Sequence, residues 1–340
     1  MQEQPPADIN MADVAERAGV SIASVSRALR DRPGVGAATR KRILAIADEL
    51  SYVVSPEASR LAGGPTRRIA LVVPQIEPWF YARSLSVLEQ EFRSAGHDVL
   101  LYVIDGPEER RGFFRELPTR RKVDAVVVTA LPVLDEEAHR LSHLGVDVVI
   151  VGNELLDHPH VRLDDLAVAR LACEHLIGLG HREIAMIRLN DSEGTHWAPD
   201  TQRVRGYREA LRDAGLRPHP LVSVEFGPSA GAVAMRRLLQ RKRRPTAVFA
   251  YSDEMAVGAM RVLAQEQIDV PTQMSIIGID DHPLAELFDL TTVRQDVALQ
   301  ARTAARRTLR LLDGDALDPR HEVVPHELVV RGSTAPPRGQ

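Results

Sequence analysis

Residues 227–231 read Gly227-Pro228-Ser229-Ala230-Gly231, the G-x-S-x-G spacing that lifts a nucleophilic serine out of a strand-to-helix turn. Acids and histidines follow it, so serine hydrolysis is one formal reading. No glycine-rich oxyanion loop precedes the motif, however, and Ser229 reads better as the cap of a helix over Ala230–Arg241. Asp157-His158-Pro159-His160 offers metal-ligating groups, but no further ligand stands at a workable spacing. No Walker A loop and no H-E-x-x-H occurs. The basic run Arg241-Lys242-Arg243-Arg244 reads as a solvated helix end that complements the helix dipole. With these set aside, the chain is expected to recognise rather than to react: not an enzyme, with no cofactor and no metal.

Such recognition must be carried by more than one domain, since 340 residues exceed the usual single-domain size. A composition of 44% hydrophobic and 26% charged residues is ordinary for globular cores. Cys173 is the single cysteine, which excludes an internal disulfide and suits a reducing compartment. The start, Met1-Gln2-Glu3-Gln4-Pro5-Pro6, lacks a basic and an apolar region, and no apolar run nears the roughly 18 residues of a membrane span. A cytoplasmic protein without a membrane partner is expected. The net charge of −4 does not advertise nucleic acid, and residues 1–64 carry eight Lys+Arg against eight Asp+Glu. Positive charge for DNA must therefore be placed locally.

Residues 1–8 read as a polar tail. Residues 10–50 show helical periodicity alone. Asn10 with Asp13 fits a capping box; Val14, Ala15 and Ala18 line one face, and Gly19 ends the helix. Ser21 caps a second helix through Val25, Ala28 and Leu29, which stops at Asp31-Arg32-Pro33-Gly34. A third, from about Ala37 to Leu50, turns Ile43, Ile46, Ala47 and Leu50 inward. Helix, Gly turn, hydroxyl cap and second helix is the helix-turn-helix plan. The face of the second helix away from Val25 and Leu29 carries Ile22, Ala23, Ser26 and Arg27. Ser21 and Ser24 suit phosphate, Arg27 a guanine edge, and Ile22 and Ala23 thymine methyls. A plain three-helix bundle with a solvated Arg27 fits the periodicity equally well.

After Pro65, β-rich runs alternate with amphipathic helices. The runs are Ile69–Val73, Val99–Ile104, Ala125–Thr129, Val148–Val151, Ile184–Ile187, Ala247–Ala250 and Ser275–Ile279. Between them lie Leu85–Ala95, Leu166–Leu179, Arg203–Ala214, Ala230–Arg241 and Glu254–Gln265. This alternation predicts parallel sheets wrapped by helices, in one large sheet or two smaller ones. Cys173, on the Leu166–Leu179 helix, is a core filler.

The segment Asp13-Val14-Ala15-Glu16-Arg17-Ala18-Gly19-Val20-Ser21 through Ser24-Val25-Ser26-Arg27-Ala28-Leu29 resembles the head of the lac repressor/galactose repressor family. The likeness continues through Thr39–Leu44, Glu49–Tyr52 and Ser55–Gly64. Departures are Ser24 for a usual Thr, Gly36 for a Ser cap, Ser51 for a Gly and Ser55 for an Asn; Gly36 weakens the start of the third helix. The resemblance implies a transcriptional repressor of fold class α/β: an all-α helix-turn-helix head over residues 1–64, then a two-lobed, periplasmic-binding-protein-like effector-binding and dimerisation core over 65–340. Its expected partners are a near-palindromic operator DNA, a small-molecule effector, foremost a sugar, and a second copy of the chain. No apolar heptads close the sequence, so a dimer rather than a tetramer is expected.

A hinge helix near residues 55–63 follows from the same likeness. Ser55 suits the N-cap, Pro56 the first position, and Gly63-Gly64 the stop. A helix this short is not stable alone. In the family two such helices pair over the minor groove; Leu61 matches the wedging leucine, and Ala58 is assigned to DNA with it. From the residues alone, a flexible linker is the simpler reading.

In the core, landmarks match in order: Pro74 with Pro78-Trp79-Phe80, Leu163-Asp164-Asp165, Gly180–Ile184, Arg203–Tyr207, Tyr251–Ala259 and Gly278–Asp281. Thr291–Asp296 matches the last crossover between lobes. Ligands of open α/β sheets sit beyond the carboxyl ends of strands. Phe80, Arg203, Ser252 and Asp280 fall there, an aromatic face with charged groups that suits a polyhydroxyl ligand. Asp164 and Gln295 join them as weaker candidates. Asp165 replaces a common Asn. Trp79 and Trp197 either line the cleft or pack.

Overall fold

A computed structural model describes residues 10–29, 33–50, 52, 65–116, 123–190, 195 and 198–338. The tail 1–8, the hinge at 55–63 with Ala58 and Leu61, and Trp197 lie outside the described residues. The chain divides into two units, Met1–Thr66 and Arg67–Gln340.

In the first unit, helices α1 (Met11–Ala18), α2 (Ile22–Leu29) and α3 (Ala37–Glu49) enclose one small core. Asn10 accepts the Ala12 amide at 2.8 Å while Asp13 accepts the Asn10 amide at 2.7 Å, so two donors at the helix start are met reciprocally. Gly19 takes a left-handed φ of +63° and lets the Val20 amide reach the Ala15 carbonyl at 3.0 Å. Val14, Ala15, Ala18, Val25, Ala28, Ile43 and Ala47 are buried together, with Ile46 and Leu50 partly covered around them. Gly36 stands at the N-cap of α3 with no side-chain cap, as that substitution implies.

In the second unit the strands fall into two six-stranded sheets. The first lobe contains β1 (Arg68–Val73), helix α4 (Trp79–Ser94), β2 (Asp98–Val103), α5 (Gly106–Glu116), β3 (Ala125–Thr129), α6 (Asp135–Ser142), β4 (Asp147–Val151) and β5 (His160–Arg162). The second continues through α7 (Asp165–Gly178), β6 (Ile184–Leu189), α8 (Ala198–Asp213), β7 (Val222–Val224), α9 (Pro228–Leu239), β8 (Ala247–Ala250), α10 (Asp253–Gln265), β9 (Ser275–Asp280), α11 (Pro283–Leu287) and β10 (Thr291–Gln295). Then come α12 (Val297–Leu312), β11 (His321–Val323) and β12 (His326–Val329). Sheet orders are β2-β1-β3-β4-β5-β11 and β7-β6-β8-β9-β10-β12, all parallel except the β10–β12 pair. Each lobe thus repeats one doubly wound order, whose switch point opens a crevice at the strand carboxyl ends. β3, β8 and β9 are buried along their whole length, as strands covered by helices on both faces must be.

The chain passes between lobes three times. Thr291–Gln295 is itself a strand of the second sheet, so the crossing follows it at Asp296 and is not the last. The last lies between β11 and β12, where β11 pairs with β5 of the first sheet and β12 with β10 of the second. One apolar cluster binds the arrangement, with Leu88 and Phe92 of α4, Cys173 and Leu176 of α7 and Ala301 and Ala305 of α12 among its members. Ser229 does not cap α9: the helix starts at Pro228, and Gly227 holds the cap position with a φ of +112° and no side-chain bond. Arg241 and Arg243 lie past the end of α9 and tie loops, Arg241 to the Pro220 carbonyl at 2.9 Å and Arg243 to Glu183. The His160 ring stacks on His321 at 4.2 Å, and His158 bonds the Ser142 hydroxyl at 3.0 Å. No described helix is long and apolar enough to cross a membrane.

Candidate functional site

Between the lobes lies a cavity of about 290 Å³. Its wall is made where strands of both sheets end: Pro74 and Gln75 after β1, Gly152 after β4, Asn190 after β6, Ser252 after β8, Asp280 closing β9 and Gln295 closing β10. Five of the six predicted ligand residues stand on it: Phe80, Arg203, Ser252, Asp280 and Gln295. Phe80 reaches the wall because Gly152 has no side chain; a Cβ there would come within 3.0 Å of the ring tip. Beside it, burial pushes the Tyr81 hydroxyl well above its ordinary range, so it stays protonated and donates to the Ala130 carbonyl at 3.1 Å.

Asp164 stands elsewhere. Its carboxylate accepts the Ala167 amide at 3.0 Å and caps α7. The next residue, Asp165, lines the cavity and takes the Nε hydrogen of Arg203 at 2.8 Å. Arg203 also donates through Nη1 to the Tyr251 carbonyl at 2.6 Å, and its guanidinium lies 4.2 Å from the centre of the Tyr251 ring. Such a fork, held on an edge and a face, keeps a fixed direction. Burial lifts the Asp165 pKa above the usual carboxylate range, against the pull of Arg203.

Asp280 is buried and strained, with φ +132°, and Asp281 follows at φ +56°. Unusual backbone held by a packed surrounding is common at ligand sites. Burial pushes Asp280 up to about 7, opposed by Arg203 and by the Gln295 amide that donates to it. Gln295 in turn accepts from Gln300 Nε2 at 3.0 Å. Asp253, close by, is also pushed well up by burial and by Asp280. Ser252 accepts the Met255 amide at 3.3 Å and starts α10. Trp79 sets its ring 5.1 Å from that of His282 rather than on the cavity wall.

Sequence reasoning missed Tyr81, Asp165, Tyr251 and Gln300. Asp164-Asp165 is a case where two adjacent carboxylates share one motif. The spacing to the amide three residues on marks Asp164 as the cap, which leaves Asp165 to turn inward.

In the first unit, Ile22 is 53% exposed, Ser21, Ala23 and Arg27 are exposed and Ser26 half-buried, while Val25 and Ala28 are buried behind them. Ser21 Oγ accepts the Ser24 amide at 3.2 Å and bonds the Ser24 hydroxyl at 3.0 Å. α2 therefore offers one small, polar, accessible face with a guanidinium at its end.

A helix-turn-helix unit and a two-lobed cleft unit in one chain are the parts of a DNA-binding transcriptional regulator. Residues 10–55 match the model described as bacterial regulatory proteins, lacI family, and residues 173–334 match a periplasmic binding protein-like domain. The regulator GalR of Escherichia coli is 33% identical over 96% of this chain and 95% of its own length. The solved lac repressor dimer bound to operator and the anti-inducer ONPF shares 25% identity, with a TM-score of 0.85 over 96% of this chain and 99% of that one. The regulator CelR in complex with cellobiose is 30% identical, with a TM-score of 0.70 over 96% of this chain and 99% of its own. The chain belongs to the lacI family of bacterial transcriptional regulators and is not an enzyme.

Proposed function

We propose that this regulator is a cytoplasmic repressor that binds a near-palindromic operator as a homodimer and is switched by a saccharide held between the lobes of its core. The head is residues 1–64 with a hinge near 55–63, and the core is residues 65–340. Ser21, Ile22, Ala23, Ser26 and Arg27, with Ala58 and Leu61 of the hinge, address the DNA. The observation that carries the effector reading is the cavity itself: Phe80 of α4 supplies an apolar face, and Arg203 of α8, Asp280 at the end of β9 and Gln295 at the end of β10 supply fixed polar groups. Aromatic stacking with a few convergent hydrogen bonds is what a ring of hydroxyls requires. The relatives lend support, since one solved neighbour holds cellobiose and another is a dimer on operator. Asp164 serves the site through the helix cap.

Ligand moves the DNA equilibrium only by its differential affinity for two lobe arrangements. Arg203→Ala and Asp280→Ala are expected to bind a saccharide found by screening at least tenfold more weakly, while operator affinity is retained. Calorimetric titration and gel shift measure the two halves. Wild-type saccharide affinity in both variants overturns the effector reading.

A further inference from the structure

We propose that the cavity takes an uncharged saccharide and rejects the phosphorylated form of the same sugar. This rests on the saccharide reading above and adds the charge class of the ligand. Phosphate is held in proteins by uncommitted guanidinium forks, lysines or open helix N-termini. Among the described residues, the cations on this wall are Arg110 and Arg203; each is charge-paired with a carboxylate, and Arg203 keeps only Nη2 for a ligand oxygen. Arg203 gives Nε to Asp165 at 2.8 Å and Nη1 to the Tyr251 carbonyl. Arg110 gives Nε to both oxygens of Glu137, at 3.1 and 2.9 Å, and that pair is buried.

Three helix starts at the lobe crossings and the cleft carry a side-chain cap, whereas α4 begins at Pro78 without one. Asp164 takes the Ala167 amide of α7, Ser252 the Met255 amide of α10, and Asp296 the Leu299 amide of α12. Of the wall's carboxylates, Asp165 is paired with Arg203 and Asp200 with Arg188, which leaves Glu225 and Asp280 without an ion pair among the described residues. A phosphate would enter against these two in a site partly shielded from water, where like charges repel strongly.

An independent observation points to hydroxyl donors. Gln300 is wholly buried and on the wall, and its Oε1 has no hydrogen-bond partner among the described residues. A buried acceptor is satisfied by an O–H, which each free sugar hydroxyl supplies and a position esterified by phosphate, an acceptor only at neutral pH, does not.

The test uses the full chain and calorimetric titration at pH 8. Glucose, galactose and cellobiose form one series; glucose 6-phosphate and galactose 1-phosphate form the other. The expected result is that a sugar which binds does so at least tenfold more tightly than its own phosphate. In Asp280→Asn, and separately in Asp165→Asn, which releases Arg203, that ratio should shrink several-fold; both variants are first checked for cooperative melting. A phosphate that binds as tightly as its parent sugar overturns the charge inference and leaves the saccharide reading standing. If neither series binds, the saccharide reading falls and this inference with it.

Discussion

Asp164 and Asp296 cap their helices in almost the same backbone conformation, φ −85° and ψ 85° for the first, φ −83° and ψ 87° for the second. Each follows the strand that closes one lobe and precedes a helix packed in the other. Each accepts the amide three residues on, at 3.0 Å from Ala167 and 2.8 Å from Leu299. The two crossings are copies of one joint. Loss of such a cap costs on the order of 1 kcal/mol. Asp164→Ala and Asp296→Ala are therefore expected to lower unfolding free energy by about that much in urea, whereas Asp164→Asn, which keeps a capping oxygen, should unfold like the wild type. A drop in saccharide affinity in Asp164→Asn with unchanged stability would return Asp164 to the ligand contacts.

The titration of Asp280 gives a pH test. Its folded pKa of about 7 lies above the ordinary value near ~3.9. A carboxyl raised on folding binds its proton more tightly in the native state, so its stabilising share is whole below about pH 4 and is lost as pH climbs through 7. Burial and Glu254 oppose the charged form, while Arg203, Gln295 and the Asp253 backbone amide hold it. Removing the titration with Asp280→Asn should thus raise stability relative to wild type more at pH 8 than at pH 5. Paired denaturant curves at the two values read the difference directly. An equal gap at both would mean that Asp280 does not titrate in this window.

Helices α9 and α10 touch through their backbones. A Cβ on Gly231 would stand 2.1 Å from the Met255 carbonyl oxygen, and one on Gly258 would stand 1.8 Å from that of Pro228. No side-chain rotation relieves a clash with a carbonyl, so the helices must separate. Gly231→Ala and Gly258→Ala are each predicted to cost more than about 2 kcal/mol, at the upper end of overpacking substitutions. Thermal melts beside Gly112→Ala, where a Cβ meets nothing within 4 Å, provide the control.

The exposed face of α2 makes a prediction about DNA. Arg27→Ala should lose roughly 1–3 kcal/mol of operator binding and relax one base position in each half-site, as read by competition gel shift with single-base operator variants. Binding that weakens evenly across all variants would mark Arg27 as a phosphate contact.

The sequence made the head legible because its core, cap and turn lie within a few residues of one another: Asn10 with Asp13, Gly19 in the turn, Val25 and Ala28 behind Ile22 and Arg27. In the core, strands such as β3 and β8 are uninterrupted apolar runs and were foreseen within a residue. β5, β7 and β11 are only three residues long, too short to carry a period, and β10, Thr-Thr-Val-Arg-Gln, is polar in letters although four of its five residues are buried. Its Thr292 hydroxyl donates to Asp253 at 2.7 Å, which is tertiary information. The same holds for the site. Arg203 and Asp280 were found by position along the chain, but Asp165, Tyr251 and Gln300 become binding groups only because distant elements converge on them.

The interleaving of the lobes also governs the order in which the protein can be made. The first sheet receives its edge strand from residues 321–323, and the Ile276 amide of β9 bonds the Ser333 carbonyl at 2.9 Å, 57 residues further along the chain. A ribosome that has released 300 residues has delivered five of the six strands of each sheet, lacking β11 from one and β12 from the other. The unpaired edges of β5 and β10 must wait in that interval, the time in which stray strand pairing is easiest. A chain stopped before residue 321 accordingly lacks the last strand of both sheets, however much of each sheet precedes it.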